Sequence, residues 1–112
     1  MSMKLPNRRN AIIEKRKLTH YLLSLVDEDG KPKAEYFRKV GFNETNLRDF
    51  EHALLAIASN NEVKTIEKSE FGVKYIVEGL MDSPIGKKFM VRTIWSIDKG
   101  KNNPRLVTAY RV

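Results

Sequence analysis

The sequence contains no cysteine, only two histidines and no apolar run longer than the six residues 53–58. The lack of cysteine excludes a disulfide scaffold, a thiolate metal site and a cysteine nucleophile. His20 and His52 stand apart without a second histidine at ligand spacing, so we expect no metal and no cofactor. Because a bilayer span takes about 20 apolar residues and no signal peptide is evident, we expect a cytoplasmic protein without membrane contact.

Positive charge is the strongest bias in the composition. The 21 Lys and Arg residues against 14 Asp and Glu give a net charge of +7 and a pI near 9.7. Residues 1–42 carry net +5 and residues 62–112 net +4, whereas residues 43–61 carry net −2. Such an excess favours an anionic partner, which could be RNA, an acidic protein or a membrane surface.

The first half of the chain, residues 14–60, has the period of amphipathic helices. Three helices are predicted at 14–26, at 32–40 and at 43–59, with a turn at 27–30 (DEDG), Gly41 ending the second helix and Asn43 capping the third. Their predicted buried stripes are, in order, Leu18, Tyr21, Leu22 and Leu25; Tyr36, Phe37 and Val40; and Leu47, Phe50, Leu54 and Ile57.

From residue 62 onward, apolar and polar residues alternate with a period of two. Strands are predicted at 62–68, 71–81, 87–98 and 105–112, and their short connections favour an antiparallel meander. Helices followed by strands predict an α+β fold, with three N-terminal helices packed on one face of a four-stranded antiparallel sheet. The length predicts one domain over residues 1–112.

The alternation also divides the strand side chains between two faces of the sheet. The predicted core face holds Val73, Tyr75, Val77, Phe89, Val91, Trp95, Ile97, Leu106 and Tyr110, with Thr93 and Thr108 on the same parity. The predicted open face holds Lys64, Lys68, Lys74, Glu78, Met90, Arg92, Arg105 and Arg111, with Ile76, Ile94 and Val107 exposed among them. A slip of one residue in any strand would exchange its two faces.

The reactive side chains that remain are Arg, Lys, Thr and Tyr, because the sequence has no Gly-x-Ser-x-Gly elbow and no Gly-rich phosphate loop. These residue types are compatible with RNA cleavage by the substrate's own 2′-hydroxyl, which needs no protein nucleophile. Such a site positions the phosphate, neutralises charge on its oxygens and assists two proton transfers. Arginine suits the phosphate because its planar fork binds two oxygens at once.

Eight short segments of the chain form a familiar set: residues 4–7 (KLPN), 17–18, 21–24, 33–37, 40–42, 71–75, 91–95 (VRTIW) and 104–110 (PRLVTAY). Together they span nearly the whole chain and resemble a bacterial family of small domains of unknown function. Relatives look like the C-terminal toxin tips of polymorphic toxins, grouped with barnase, EndoU, colicin-type nucleases and RelE, or occur as small stand-alone proteins. The resemblance implies N-terminal helices on a four-stranded antiparallel sheet and a metal-independent ribonuclease.

The resemblance points to Lys17, Lys33, Arg92, Thr93, Trp95, Arg105, Thr108 and Tyr110. From this set and the open face, we predict that the catalytic residues are Arg92, Arg105, Thr108 and Lys17, and that the RNA-binding residues are Lys33, Lys64, Lys74 and Arg111. Relatives often have a His-Pro pair where this chain has residues 26–29 (VDED), and Ser where it has Pro32. If that His is the catalytic base of the relatives, this chain uses another base or lacks activity.

Three functions remain open at this point. The first is a toxin-like, metal-independent ribonuclease whose basic face is inhibited by a small acidic antitoxin or immunity protein. The second is an RNA-binding module without catalysis, which predicts salt-dependent binding and no cleavage. The third is a protein-interaction or inhibitor domain anchored by Ile76, Ile94 and Val107. The sequence predicts no oligomeric state.

Overall fold

A computed structural model describes residues 3–26 and 31–112, and within them the predicted α+β fold is confirmed. Helix α1 begins as an α-turn, Lys15–Lys17, and continues as a π-helix, Leu18–Leu22; α2 is Lys31–Lys39 and α3 is Leu47–Asn60. The strands are β1 (Val63–Ser69), β2 (Gly72–Asp82), β3 (Lys88–Asp98) and β4 (Arg105–Arg111), antiparallel in the order β1-β2-β3-β4. The predicted turn at 27–30 lies outside the described residues. Across the two described ranges, no helix has the length and apolarity to cross a membrane.

Helix α1 is shorter than predicted and winds differently. The Leu23 N–H donates to the Leu18 carbonyl at 2.8 Å, which is the five-residue step of a π-helix. This wider turn places Leu23 in the core beside Leu18 and Leu22, while Leu25 lies 48% exposed. The prediction that Leu25 continues the buried stripe was therefore wrong.

Helix α3 begins at Leu47, with Asn46 rather than the predicted Asn43 at the N-cap position. The Asn43 side-chain oxygen accepts from the Thr45 N–H at 2.8 Å, and the Asn43 N–H donates to the Asn46 side-chain oxygen at 2.8 Å. These local hydrogen bonds hold the backbone at Asn43 in a turn, so the helix begins only after Asn46. Gly41 has the predicted left-handed conformation, with φ of 106°.

The core lies between the helices and one face of the sheet. Trp95 is fully buried, as predicted, and its indole N–H donates to the Thr93 hydroxyl oxygen at 2.8 Å. The Thr93 hydroxyl in turn donates to the Val77 carbonyl at 2.7 Å. The other large buried side chains include Phe37, Phe42, Phe50, Leu54, Ile57 and Met81.

One extra residue in β4 changes the pairing with β3. Trp95 pairs with Leu106, but the next β3 residue back, Ile94, pairs with Thr108. Val107 is therefore inserted into β4 as a bulge. Because side chains alternate between faces, this one insertion reverses the facing of every later residue of the strand.

Because of the bulge, three side chains of β4 lie on the opposite face of the sheet from the one predicted. Tyr110 pairs with Arg92, and Thr108 follows the same parity, so both lie on the open face rather than the core face. Arg111 turns instead to the side covered by the helices, where its guanidinium lies 5.2 Å from the centre of the Tyr36 ring. The predicted open-face position of Arg111 was therefore also wrong.

The pairing of β1 with β2 shifts by one residue at Lys64. Lys64 still reaches the open face, where its ammonium binds a Glu78 carboxylate oxygen at 2.9 Å. Beyond the shift, Lys68 pairs with Val73, a core-face residue, so the prediction that Lys68 lies on the open face was wrong. The side chains predicted as exposed apolar contacts, Ile76, Ile94 and Val107, are half-buried.

Candidate active site

Cationic, tyrosine and threonine side chains converge where α1 and α2 meet strand β4. We call this group the β4 cluster, and its members are Lys17, Tyr21, Lys33, Arg92, Thr108 and Tyr110, all half-buried. Helix α1 supplies the first two, α2 supplies the third, and β3 and β4 supply the rest. Four of the eight predicted site residues therefore lie together: Lys17, Lys33, Arg92 and Thr108.

The phenol oxygen of Tyr21 is the centre of the β4 cluster. The Lys33 ammonium donates to it at 2.6 Å, and the Thr108 hydroxyl lies 3.5 Å from it. The ammonium groups of Lys17 and Lys33 each lie 4.9 Å from the centre of the Tyr21 ring. The Tyr21 side chain is thus held from its edge by hydrogen bonds and from its face by cations.

The environment of Tyr21 favours the charged form of its phenol. Burial opposes ionisation, but the hydrogen bonds from Lys33 and Thr108 and the charges of Lys33 and Lys17 outweigh it, so the pKa of Tyr21 lies below its ordinary value. A tyrosine of this kind holds more phenolate near neutral pH than a free one. Perturbed titration inside a cluster of cations is typical of functional sites.

Arg92 is held in place by a carboxylate. Its Nε donates to Glu78 at 2.5 Å, and one terminal nitrogen lies 3.4 Å from the Tyr110 hydroxyl, with the guanidinium 5.7 Å from the centre of that ring. The hydrogen bond from Lys64 lowers the pKa of Glu78, and burial raises it. The hydrogen bond and charge of Arg92 lower it further, so the pKa lies below its ordinary value. Glu78 therefore stays ionised, orients Arg92 and links Lys64 to the edge of the β4 cluster.

Two predicted site residues lie away from the β4 cluster. Arg105 binds the Asp98 carboxylate through two nitrogens, at 2.7 and 3.1 Å, and this pairing lowers the pKa of Asp98. Arg105 pairs in register with Ser96, which lies four residues along β3 from Arg92, about 13 Å at the rise of a strand. Lys74 is exposed and pairs with the same Ser96 from the β2 side.

Tyr21 was predicted only as a packing residue of the α1 stripe, and its place at the centre of the β4 cluster was missed. The available signal was Lys17 four residues earlier, a spacing that brings two side chains together on a helix. His20 has an orienting partner that the sequence did not reveal, because its Nδ1 lies 2.7 Å from the Thr19 hydroxyl. Among residues 3–26 and 31–112, no group of three His, Asp or Glu side chains is placed to hold a metal ion.

Comparison with known proteins then places the chain in a family. The family model described as Domain of unknown function (DUF6883) matches residues 4–112. The chain belongs to the DUF6883 family. A search of curated protein sequences gave no match for this DUF6883 chain. The predicted resemblance to a domain of unknown function is therefore confirmed, and membership of the ribonuclease group stays a prediction.

The DUF6883 fold also occurs in a solved structure. The matching chain belongs to a contact-dependent growth inhibition toxin–immunity protein complex from Klebsiella pneumoniae 342, with a TM-score of 0.73 and 14% sequence identity. The match covers 94% of the DUF6883 chain and 96% of the other chain. At this identity, the similarity shows a shared fold.

Proposed function

We propose that this chain is a toxin-type endoribonuclease that cleaves RNA at the β4 cluster without a metal ion. The observation that carries the proposal is Tyr21, a phenol with a lowered pKa that receives a hydrogen bond from Lys33 at 2.6 Å among further cations. A phenol with a lowered pKa beside several cations suits the 2′-hydroxyl reaction, which needs a base and neutralisation of the phosphate charge. The shared fold with a chain of a toxin–immunity complex supports the toxin assignment.

The proposed reaction transfers two protons, one from the attacking 2′-hydroxyl and one to the leaving 5′-oxygen. The Tyr21 phenolate takes the proton of the RNA 2′-hydroxyl, and the 2′-oxygen forms a bond to phosphorus. The bond from phosphorus to the 5′-oxygen breaks, and that oxygen takes a proton from the Lys17 ammonium. The products are a 2′,3′-cyclic phosphate and a 5′-hydroxyl end, and exchange with water restores both side chains.

The remaining members of the β4 cluster bind the phosphate in this proposal. Lys33 and Arg92 neutralise its non-bridging oxygens, and the arginine fork fixes its orientation while Glu78 holds the other side of the guanidinium. Thr108 holds the Tyr21 hydroxyl in position. We assign Lys17 rather than His20 to the leaving oxygen, because the ammonium lies over the Tyr21 ring whereas His20 is exposed.

The charge of the chain favours the toxin role over that of an immunity protein. The net charge is +7, and three cations of the β4 cluster converge on one place. A protein that covers such a site complements it best with an acidic surface. The proposed partners are therefore RNA as substrate and a small acidic antitoxin or immunity protein as inhibitor.

The test compares wild type with Tyr21→Phe on total cellular RNA and tRNA in EDTA, read on a denaturing gel. The substitution keeps the ring and its cation contacts but removes the phenol oxygen. We expect discrete fragments with cyclic phosphate ends from wild type, and a rate about 10²- to 10⁴-fold lower from the variant. Tyr75→Phe is the matched control, since it removes a phenol hydroxyl from β2 outside the β4 cluster, and it should cleave at the wild-type rate.

Two results would contradict the proposal. Intact RNA with folded wild-type protein, shown by circular dichroism, would exclude cleavage, and salt-dependent RNA binding in that case would indicate a binding module. Equal cleavage by wild type and Tyr21→Phe would exclude Tyr21 as the base.

A further inference from the structure

A depression of about 300 Å³ adjoins the β4 cluster on the side of α2. Its lining residues are Pro32, Lys33, Tyr36, Tyr110 and Arg111. Lys33 and Tyr110 also belong to the β4 cluster, and the Lys33 ammonium lies 5.8 Å from the centre of the Tyr110 ring. The depression and the proposed phosphate position therefore share a wall.

The depression offers a fixed aromatic surface. The Tyr36 ring is held edge-on by Phe89, with ring centres 5.1 Å apart, and by Phe37 at 6.1 Å. The planar guanidinium of Arg111 lies 5.2 Å from the Tyr36 ring centre. This packing fixes the ring before any ligand arrives, so little conformational freedom is lost on binding.

In the part of the chain that the structure describes, no carboxylate neutralises the cations of the depression, although Lys33 also donates to the Tyr21 phenol oxygen at 2.6 Å. Within residues 3–26 and 31–112, neither Lys33 nor Arg111 forms an ion pair with a carboxylate. By contrast, Arg92 and Lys64 are both bound to Glu78. An aromatic platform with cations that no carboxylate of the described residues neutralises suits a ligand that is planar, aromatic and attached to an anion.

A nucleobase on its phosphate backbone has this chemistry. Bases stack on tyrosine rings and on arginine planes, and the neighbouring phosphates bind lysine and arginine. The volume suits a single base, being at the lower end of the range for small-ligand sites. A base inside a duplex has both faces covered by its neighbours, so only an unpaired base can enter.

We infer that this depression is a subsite that stacks one unpaired nucleobase beside the phosphate held at the β4 cluster, so that the substrate is single-stranded. The identity of that neighbouring phosphate as the scissile one rests on the proposed function. The stacking itself needs no cleavage and is tested without it.

The test uses short deoxyribose strands, which lack the 2′-hydroxyl and stay intact. One strand is fully abasic, and the other is an abasic strand of equal length and charge that carries a single thymine. Fluorescence anisotropy at low salt measures the affinity of each. Since a stacked base contributes about 1–3 kcal/mol, wild type should bind the thymine strand about 5- to 150-fold more tightly.

Variants of the two stacking residues assign the preference to the depression. Tyr36→Leu and Arg111→Met should bring the ratio of affinities close to one, whereas Tyr36→Phe keeps the ring and should keep the ratio. Arg111 is exposed, so its variant tests the site even if Tyr36→Leu disturbs the packing against Phe89. Lys68→Ala is the control for lost charge, because Lys68 lies on β1, and it should leave the ratio unchanged.

The outcomes separate this inference from the proposed function. Equal affinity of wild type for the two strands, or a ratio unchanged in folded Arg111→Met, would overturn the subsite whatever happens to RNA. A preserved thymine preference without RNA cleavage would overturn the ribonuclease proposal and leave the subsite standing. Cleavage of duplex RNA as fast as single-stranded RNA would also overturn the inference.

Discussion

Replacing Thr93 with valine tests whether the hydroxyl of this residue serves the core. The Thr93 hydroxyl donates to the Val77 carbonyl at 2.7 Å and accepts from the Trp95 indole N–H at 2.8 Å, and both Thr93 and Trp95 are fully buried. Valine keeps the shape of the side chain and removes both bonds. The indole N–H then remains buried without a partner.

The expected cost follows from these two bonds. Losing the bond to Val77 costs about 0.5–1.5 kcal/mol, and leaving the indole N–H unsatisfied costs about 1–3 kcal/mol. Thr93→Val should therefore lower the free energy of unfolding by about 2–4 kcal/mol, a large share of the roughly 5–15 kcal/mol typical of a domain. Urea unfolding, followed by tryptophan fluorescence for variants that keep Trp95 and by circular dichroism for all of them, measures the change.

A double-mutant cycle with Trp95→Phe isolates the cause. Phenylalanine has no N–H, so in that background Thr93→Val should cost only the bond to Val77, and the two substitutions should couple by about 1–3 kcal/mol. Thr93→Ser keeps the hydroxyl and serves as the control. A Thr93→Val variant within about 0.5 kcal/mol of wild type, or an equal loss in both backgrounds, would refute the reasoning.

The remaining predictions concern pH, close packing and charge. In the proposed mechanism Tyr21 acts as the phenolate, so cleavage should rise as the pH increases through the pKa of Tyr21. Lys33→Met removes one of the two cations that lower this pKa and should move the rise to higher pH in a profile of rate against pH. An unmoved rise would exclude Lys33 as the cause. A Cβ on Gly79 would lie 2.2 Å from the Asn61 side-chain nitrogen, which donates to the Ile57 carbonyl at 2.9 Å. The Asn61 side chain has to move and lose this bond, so Gly79→Ala should lower the free energy of unfolding by about 0.5–1.5 kcal/mol, as measured in urea. Asn61→Ala should relieve most of that loss, and an additive loss would count against the clash. Arg105→Ala breaks an exposed ion pair away from the β4 cluster, so it should change unfolding by less than about 1 kcal/mol and leave RNA cleavage intact; loss of cleavage would return Arg105 to the site.

The order of helices and strands could be predicted because hydrophobic periodicity is strong in both halves of the chain. The third strand was predicted at 87–98 and is found at Lys88–Asp98, with Trp95 buried as its alternation requires. The N-cap of α3 was predicted at Asn43, three residues before its place at Asn46. The reason is that the hydrogen bonds that hold Asn43 in a turn depend on Thr45 and Asn46 together.

The candidate site was only partly predictable, because two of its determinants leave no mark on hydrophobic periodicity. Strict alternation along β4 predicts that Tyr110 lies on the core face. Only the pairing with β3 shows that the bulge at Val107 moves Tyr110 to the open face. The apolar stripe of α1 includes Tyr21, and only the approach of Lys33 from α2 turns this ring into a candidate base. Contacts between distant segments decide both features.

The bulge at Val107 has a consequence for comparing relatives by sequence. The arrangement of the β4 cluster depends on how many residues β4 contains as well as on which residues they are. A relative with one residue fewer before the same Thr-Ala-Tyr sequence would turn its threonine and tyrosine toward the helices and away from the proposed phosphate position. An alignment that matches the Thr-Ala-Tyr residues and ignores the missing residue would score the candidate site of such a relative as unchanged. The number of residues in β4 therefore has to be compared separately from residue identity.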